Sequence, residues 1–477
     1  MVGFAVVELF FATPFSVAMV FTVRISGMLP ASIIVVIAVV FSNEHARAQS
    51  TALHSVLQSG PMVGTVTMRE ATLWVQTTRA AAVCVEYADT SSPGKVYRTN
   101  VVKTVASSSF TAKCIADSVL PGRIYTYSVL ADGKKIQRPY PCMFSTPPQW
   151  QYRSDPPAFR ILAGSCAFIN DSLYDRPGKP YGGDYRIFTS MAQKVPSVVL
   201  WLGDNVYLRE SDWTSNAGIR YRYTHSRSIP ELQPLLARSA HYAIWDDHDY
   251  GPNDSDRGFF NKDATRTAFM DFWANPTYGL NNQGTCSVAQ WGDVDIFLLD
   301  DRWWRTPNKR TTGPREMLGQ VQREWLMDNL ASSTAPFKLV CVGGQVLNSQ
   351  AVYETFSTFA EERTLLLDAI RKEGITGVIF LTGDRHHTEL SLLDAPGAAP
   401  VYDLTTSPLT SSPNPKGESE ANALRVPGTF TGARNFAVLD FSGPAKARSL
   451  RISVCDTDGK ELWQQTISAQ SLRRNSR

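Results

Sequence analysis

The sequence has almost no excess of charge of either sign and few cysteines. Its 47 Lys and Arg against 44 Asp and Glu leave a formal net charge of +3, which lacks the basic signature of a nucleic-acid-binding protein. Seven cysteines in 477 residues exclude a small disulfide-dense scaffold. A hydrophobic content of 43% excludes global disorder, and the length favours two or three domains.

The first residues contain two apolar stretches, at 2–23 and 28–41. The second is shorter than the ~20 residues that span a bilayer. Arg24 before it and Ala-Arg-Ala at 46–48 after it are typical of a secretory signal, so we predict a signal segment over 1–48, cleaved after Ala48. The protein is then expected in the periplasm, in the medium or at the cell surface. The alternative is one or two membrane anchors, in which case an uncleaved segment is the only expected contact with a membrane.

Residues 55–148 alternate β-branched and aromatic residues with turn residues. This pattern predicts a small all-β domain of the immunoglobulin or fibronectin type III kind, in which Tyr125 and Tyr127 resemble corner tyrosines. We find no catalytic motif in this region. In an exported protein its cysteines could form one disulfide, and their spacing does not choose a pair: Cys84, Cys114 and Cys142.

A Pro-rich stretch at 139–157 predicts a linker, after which apolar runs alternate with helical patterns. This order is typical of βαβ units, so 158–470 is predicted to be an α/β (mixed α+β) domain with a largely buried sheet. The predicted strands are 159–164, 197–203, 241–246, 294–300, 337–344, 377–383, 433–441 and 449–467. The predicted helices lie near 185–194, 263–273, 315–330 and 360–373.

Polar residues follow six of these strands at their carboxyl ends, where ligands bind in open α/β sheets. They are Ser165 and Cys166; Asp204, Asn205 and Tyr207; Asp246 to Asp249; Asp300 and Arg302; Gln345; and Asp384 to His387. Carboxylates crowded at one edge repel one another unless cations neutralise them. Thiolate and phenolate favour a strongly Lewis-acidic ion, whereas carboxylate and amide oxygens favour a harder divalent ion. We therefore predict two unlike metals that act together on a phosphate ester.

Six motifs at these strand ends resemble the alkaline phosphatase D (PhoD-like) family of calcineurin-like metallophosphoesterases, related to purple acid phosphatases. They are GSC at 164–166, GDNVY at 203–207, WDDHDYGPND at 245–254, LDDRWWR at 299–305, GGQVLN at 343–348 and LTGDRHHTEL at 381–390. The resemblance covers roughly 159–470. It implies a metallophosphoesterase β-sandwich flanked by helices and preceded by a small β-domain.

The resemblance also implies roles for single residues. Trivalent iron would be bound by Cys166, Tyr207 and His386, and Asp204 would bridge both metals. Asp247 and Asp384 would bind the second metal, for which calcium or another hard divalent ion fits the oxygen ligands. Gln345 stands where a relative would present a histidine, and it binds the second metal or only a water.

The expected reaction is in-line attack on phosphorus by a metal-held hydroxide, with His248 assisting departure of the leaving group. Asn205, Arg302 and Arg385 are further catalytic candidates. The two arginines could hold phosphate by paired N–H groups, and structural ion pairs are the alternative for them. The expected substrate is a small phosphate ester or a lipid. A phospholipase D-like activity on lipid head groups and a non-catalytic cell-surface module remain as alternatives.

Overall fold

The protein is described here by a computed structural model that covers residues 7–13, 16–21 and 56–473. The chain divides into two compact units, Met1–Ser55 and Val56–Arg477. The described part of the first is an antiparallel pair of strands, β1 (Val7–Thr13) and β2 (Ser16–Phe21). The rest of the predicted signal segment, with its cleavage site after Ala48, lies outside the described residues. Within the described ranges, no helix is both long and apolar enough to cross a bilayer.

The second unit begins with a region of short strands and tight turns. These strands are β3 (Leu57–Val66), β4 (Ala71–Thr77), β5 (Ala82–Asp89), β6 (Val96–Arg98), β7 (Val102–Lys103), β8 (Thr111–Ala116), β9 (Ile124–Ala131), β10 (Lys134–Lys135) and β11 (Met143–Ser145). A single 3-10 turn, Ala106–Ser108, interrupts them. Strands β5, β6, β7, β9, β10 and β11 form a six-stranded sheet. The immunoglobulin-like topology of this region stays a prediction.

The remaining residues alternate strands and helices. The strands are β12 (Phe159–Gly164), β13 (Val198–Leu202), β14 (Ala240–Ile244), β15 (Ser287–Trp291), β16 (Val294–Leu298), β17 (Phe337–Cys341), β18 (Val378–Thr382), β19 (Glu389–Leu393), β20 (Val401–Thr405), β21 (Asn435–Ser442), β22 (Ser449–Asp456) and β23 (Glu461–Ser468). The helices are α1 (Arg186–Gln193), α2 (Asn216–Arg227), α3 (Gln233–Leu236), α4 (Asp247–Tyr250), α5 (Lys262–Phe272), α6 (Gln320–Ser332) and α7 (Ala360–Lys372). The predicted α/β fold class is therefore confirmed.

Two large sheets carry this part of the fold. The first has the order β23-β22-β21-β12-β13-β14-β3-β4-β8, and the second has the order β15-β16-β17-β18-β20-β19. Strands β12 to β14 are parallel, as are β16, β17, β18 and β20. Apolar side chains of both sheets belong to one buried cluster, which includes Ile161, Leu200, Leu339 and Ile379. The sheets thus pack as a sandwich, and separate apolar clusters join each outer face to helices.

The first strands of the second unit are continuous with this sandwich. Strand β3 pairs in parallel with β14 through Val63 and Ala240, and β4 and β8 extend the sheet beyond it. The predicted domain boundaries near 148 and 158 therefore stay predictions. All seven cysteines are free thiols, so the disulfide considered for Cys84, Cys114 and Cys142 is not formed in this structure.

One predicted corner tyrosine makes a local backbone contact. The Tyr125 ring is buried and stacks on Phe144 with centroids 5.0 Å apart, and its hydroxyl accepts a hydrogen bond of 2.7 Å from Leu120 N. Replacing Tyr125 by Phe keeps the ring and leaves this N–H without its partner. We expect Tyr125→Phe to lower the free energy of unfolding by about 1 kcal/mol in urea titrations.

Tyr152 provides a matched control because its side chain is fully exposed. We expect Tyr152→Phe to leave the unfolding midpoint unchanged. Equal midpoints for the two variants would show that the Tyr125 hydroxyl contributes nothing to stability.

Candidate metal centre

The candidate ligands follow the ends of parallel strands. Cys166 lies two residues after β12, Asp204 two after β13 and Asp384 two after β18. Asp247 begins helix α4, which is separated from the end of β14 by Trp245 and Asp246. Because the sandwich places the carboxyl ends of β12, β13, β14 and β18 at one edge, these side chains converge, as the sequence predicts.

Four candidate ligands have a left-handed backbone. The φ angles are 58° at Cys166, 53° at Asp204, 64° at Asp384 and 55° at His386. This conformation is uncommon for residues other than glycine and costs on the order of 1–3 kcal/mol each. Such turns persist where the surrounding fold enforces them, and here they direct side chains into a common space. Strain at several candidate ligands is characteristic of a functional site.

The first cluster contains a thiol, a carboxyl, a phenol and an imidazole. The Cys166 Sγ lies 3.6 Å from Asp204 Oδ2, and the Tyr207 hydroxyl lies 3.1 Å from the same oxygen. The hydroxyl is also 3.4 Å from His386 Nε2. One ligand atom each of Cys166, Asp204 and His386 falls within 4.8 Å of the others. These distances suit side chains that surround one ion.

The second cluster shares Asp204 with the first. Ligand atoms of Asp204, Asp247 and His248 lie within 4.8 Å of one another, and so do those of Asp246, Asp247 and Asp384. The Asp247 Oδ1 is buried, and the described residues give it no hydrogen-bond partner. An unpaired buried carboxylate oxygen is costly unless a cation or a proton satisfies it.

The electrostatics of both clusters call for positive charge. Burial raises the pKa of the Cys166 thiol to about 11 and that of the Asp384 carboxyl to about 6. At Asp204, burial and the neighbouring charges of Asp247 and Cys166 raise the pKa well above its ordinary value. Burial does the same to the Tyr207 phenol. At Asp247, burial acts in the same direction, but the charges of His248 and Arg302 outweigh it and lower the pKa to about 2. Cations would favour the ionised form of the groups whose pKa is raised, so the donor set fits metal ions.

His248 lies beside both clusters. Its backbone N–H donates to Asp204 Oδ1 at 3.3 Å, and its ring packs on the Tyr207 ring with centroids 4.4 Å apart. The ring nitrogen Nδ1 is buried and finds no hydrogen-bond partner in the part of the chain that the structure describes. Packing therefore holds the ring in place, and its Nδ1 is free to form a hydrogen bond with a ligand.

Arg302 occupies a structural position. It is fully buried and forms ion pairs with Asp246 and, at 2.5 Å, with Glu354. Glu354 is also paired with Arg305 at 2.6 Å. Because these carboxylates neutralise it below the protein surface, the geometry does not support the predicted phosphate contact of Arg302 and favours the ion-pair alternative.

Gln345 and Arg385 have their polar atoms occupied. The Gln345 amide donates to Glu389 at 2.9 Å and to Thr405 at 2.8 Å, and its Oε1 accepts from Arg385. Arg385 also pairs with Glu420 at 2.6 Å. A metal at Gln345 or a phosphate at Arg385 would need these bonds to break, so the geometry does not support either predicted contact.

Asn205 is turned away from the ligand clusters. Its Nδ2 donates to the Ile244 carbonyl at the end of β14, 2.8 Å away, and its buried Oδ1 has no hydrogen-bond partner among the described residues. The residue lines a separate cavity. The geometry does not support its predicted catalytic role. A sequence places a residue at a strand end and does not state which way its side chain turns.

Ser407 and Tyr181, which contact the first cluster, were not among the sequence candidates. The Ser407 hydroxyl donates to Cys166 Sγ at 3.1 Å, and the Tyr181 hydroxyl lies 3.3 Å from His386 Nδ1. Ser407 follows β20, so its strand-end position was a signal that could have identified it. Tyr181 belongs to an irregular segment without such a signal.

Comparison with known proteins places this site in context. Residues 163–446 match the family described as PhoD-like phosphatase, and 54–148 match a domain of unknown function, DUF7800. Alkaline phosphatase D of Bacillus subtilis (strain 168) is 23% identical over 323 residues, which cover 56% of this chain and 54% of that protein. The chain thus spans about half the length of this curated relative. A solved structure titled "Structure of PhoD" matches with a TM-score of 0.71 at 18% identity, covering 89% of this chain and 93% of that one, which shows a shared fold.

The first cluster predicts that metal affinity depends on Cys166. We expect Cys166→Ala to weaken metal binding by more than the 10–100-fold, roughly, that loss of an outer-shell partner costs, because a direct ligand atom is removed. Competition with a chelator of known affinity, followed by elemental analysis, measures the change.

Cys142→Ala is the control, because that thiol is partly exposed and belongs to the strand-rich region at the start of the second unit. It should bind metal as the wild type does. Unchanged metal affinity in a folded Cys166→Ala protein would exclude Cys166 as a ligand.

Proposed function

The chain belongs to the PhoD-like phosphatase family, and from this membership we propose that it hydrolyses phosphate esters with two bound metal ions. The observation that carries the proposal is the position of Asp204, whose Oδ2 lies 3.1 Å from the Tyr207 hydroxyl and whose Oδ1 lies 3.3 Å from the His248 N–H. One carboxylate therefore faces both ligand clusters. Two cations that share a carboxylate can act on a single phosphate ester.

We infer different ions at the two clusters. A thiol and a phenol in the first support trivalent iron, bound by Cys166, Tyr207, His386 and Asp204. The second cluster offers mainly carboxylates, from Asp204, Asp247 and Asp384, which supports calcium or another hard divalent ion. When bound, the ions would supply Lewis-acid stabilisation of the charge that develops on the phosphoryl oxygens.

The protein's own residues would orient the reaction and move the proton. His248 is fixed against Tyr207 and lies next to both clusters, so a phosphoryl group held there comes within reach of its imidazole. We propose that His248 donates a proton or a hydrogen bond to the leaving oxygen. Arg302, Arg385 and Gln345 act indirectly, because their bonds hold Asp246, Glu354 and Glu389 around the site.

Two substitutions separate metal binding from proton transfer. We expect Asp204→Ala to lose metal and activity together, because both clusters lose a shared ligand. His248→Ala should retain its metals and slow hydrolysis of a phosphate ester by ~10²–10⁴, the usual contribution of general acid–base catalysis. Elemental analysis and steady-state kinetics on the same preparations provide both readouts.

Loss of metal from His248→Ala would reassign His248 to the ligand set. Full activity in metal-free Asp204→Ala would contradict the two-ion proposal as a whole.

We also propose that the protein is exported. Support comes from the apolar stretch at 28–41, the preceding Arg24 and the Ala-Arg-Ala at 46–48. Amino-terminal sequencing of the protein secreted by an expressing cell should therefore begin at Gln49. A mature protein that retains residues 1–48 would contradict the cleavage and support a membrane anchor.

A further inference from the structure

Ser407 follows strand β20 and lies between two residues of the first cluster. It is fully buried. Its Oγ is 3.0 Å from the backbone nitrogen of His386 on one side and 3.1 Å from Cys166 Sγ on the other. A hydroxyl has one hydrogen and can also accept, so the chemistry of these two neighbours decides which way the hydrogen points.

The hydrogen of the Ser407 hydroxyl points to the sulfur. The His386 N–H is a donor and cannot accept, so Ser407 Oγ accepts from it. The hydroxyl hydrogen is then left for Cys166 Sγ, and the described residues form no other hydrogen bond with it. The hydrogen of the thiol itself has a separate acceptor, Asp204 Oδ2 at 3.6 Å. Ser407 therefore donates to the sulfur whether or not the thiol is ionised.

The backbone of Ser407 is held on both sides. Its N–H donates to the Thr388 hydroxyl at 3.0 Å, and its carbonyl accepts from Asn435 Nδ2 at 2.9 Å. The Thr388 hydroxyl donates in turn to Asn435 Oδ1 at 2.7 Å, and both side chains are completely buried. These bonds fix the position of Ser407 without a metal ion. The donor to the sulfur is thus in place before an ion arrives.

A second serine is close to the same sulfur but serves another partner. The Ser165 Oγ lies 3.5 Å from Cys166 Sγ and only 2.8 Å from the carbonyl oxygen of Thr406. Its single hydrogen goes to the carbonyl, because that oxygen is nearer and sulfur is the weaker acceptor. Ser165 and Ser407 have the same side chain and the same complete burial. They differ in the direction of one hydrogen.

We propose that Ser407 is a positioning residue for the metal of the first cluster, whose hydroxyl fixes the Cys166 sulfur and draws charge from it. Hydrogen bonds to a ligating sulfur are one of the means by which proteins adjust the properties of a bound metal. Because the same oxygen accepts from His386, Ser407 also links two candidate ligands to each other. The proposal deepens the proposed function and rests on it, because it requires Cys166 to bind the first ion.

Cobalt(II) is the probe, because a bond between cobalt and a thiolate gives a charge-transfer absorption band whose energy reports the charge on the sulfur. In the full-length protein loaded with cobalt, we expect Ser407→Ala to move this band to longer wavelength, since a sulfur without the hydrogen bond releases electron density more easily. We also expect the affinity for cobalt, titrated at this band, to fall roughly 10–100-fold, the usual cost of losing an outer-shell partner.

Ser165→Ala is the matched control, because it removes the other serine hydroxyl beside the sulfur. Its band should stay at the wild-type wavelength. A band that Ser407→Ala leaves in place would overturn the proposal even if the affinity falls, because the hydroxyl would then support only the backbone of His386. Equal shifts in the two variants would also overturn it, because the effect would not depend on the direction of the Ser407 hydrogen.

The wild-type protein separates this proposal from the proposed function. A wild-type protein that binds cobalt without the band would remove Cys166 from the ligand set, and so would overturn both the assignment of the first metal and the role of Ser407. If Ser407→Ala does not fold, neutron diffraction from wild-type crystals locates the hydroxyl hydrogen. A hydrogen on the line to Cys166 Sγ supports the proposal, and a hydrogen on any other line overturns it.

Discussion

The mutual repulsion of buried acidic groups around Asp204 is the constraint on which the site depends. Asp204, Asp247 and Asp384 are brought together by the ends of separate strands, and burial together with neighbouring acidic groups raises the pKa of the Asp204 and Asp384 carboxyls. A cation placed among them turns the same crowding into coordination. The fold therefore holds acidic groups together in a way that calls for cations, which the polypeptide does not itself supply.

The rest of the scaffold keeps these groups close. The candidate ligands Cys166, Asp204, Asp384 and His386 sit in left-handed turns that the packed sheets enforce. Gly203 permits one of these turns: its φ is 89°, and a Cβ there would lie 2.6 Å from the Cβ of Asp246. The charges of Arg302 and Arg385 are neutralised by the carboxylates of Asp246 and Glu420, which fixes the shell around the ligands.

Much of the fold was predictable because parallel strands that are buried on both faces appear in the sequence as continuous runs of apolar residues. β12, predicted at 159–164, is Phe159–Gly164, and the predicted helix at 360–373 is Ala360–Lys372. Helix α2 was not predicted. Its sequence, NAGIRYRYTHSR, is polar around most of its circumference, and buried arginines occupy positions where apolar periodicity is expected. Its folding depends on packing across the molecule, which local pattern does not report.

The site was predictable to the level of which residues meet, and less so for what each one touches. Position after a strand predicts that Cys166, Asp204 and Asp384 lie near one another, and the structure places them in adjoining clusters. The same rule also selected Asn205 and Gln345, whose amides turn to partners within the protein. Side-chain direction depends on neighbours distant in sequence, such as Ile244 for Asn205 and Glu389 for Gln345, and a motif does not contain that information.

The most direct test of the two-cation account is anomalous diffraction from crystals of the purified protein, recorded on both sides of the iron absorption edge. The account predicts an iron peak within bonding distance of Cys166 Sγ, the Tyr207 oxygen and Asp204, with a second, lighter cation on the opposite side of the same carboxylate. Crystals of protein active on phosphate esters that show no ion at Asp204 would contradict it.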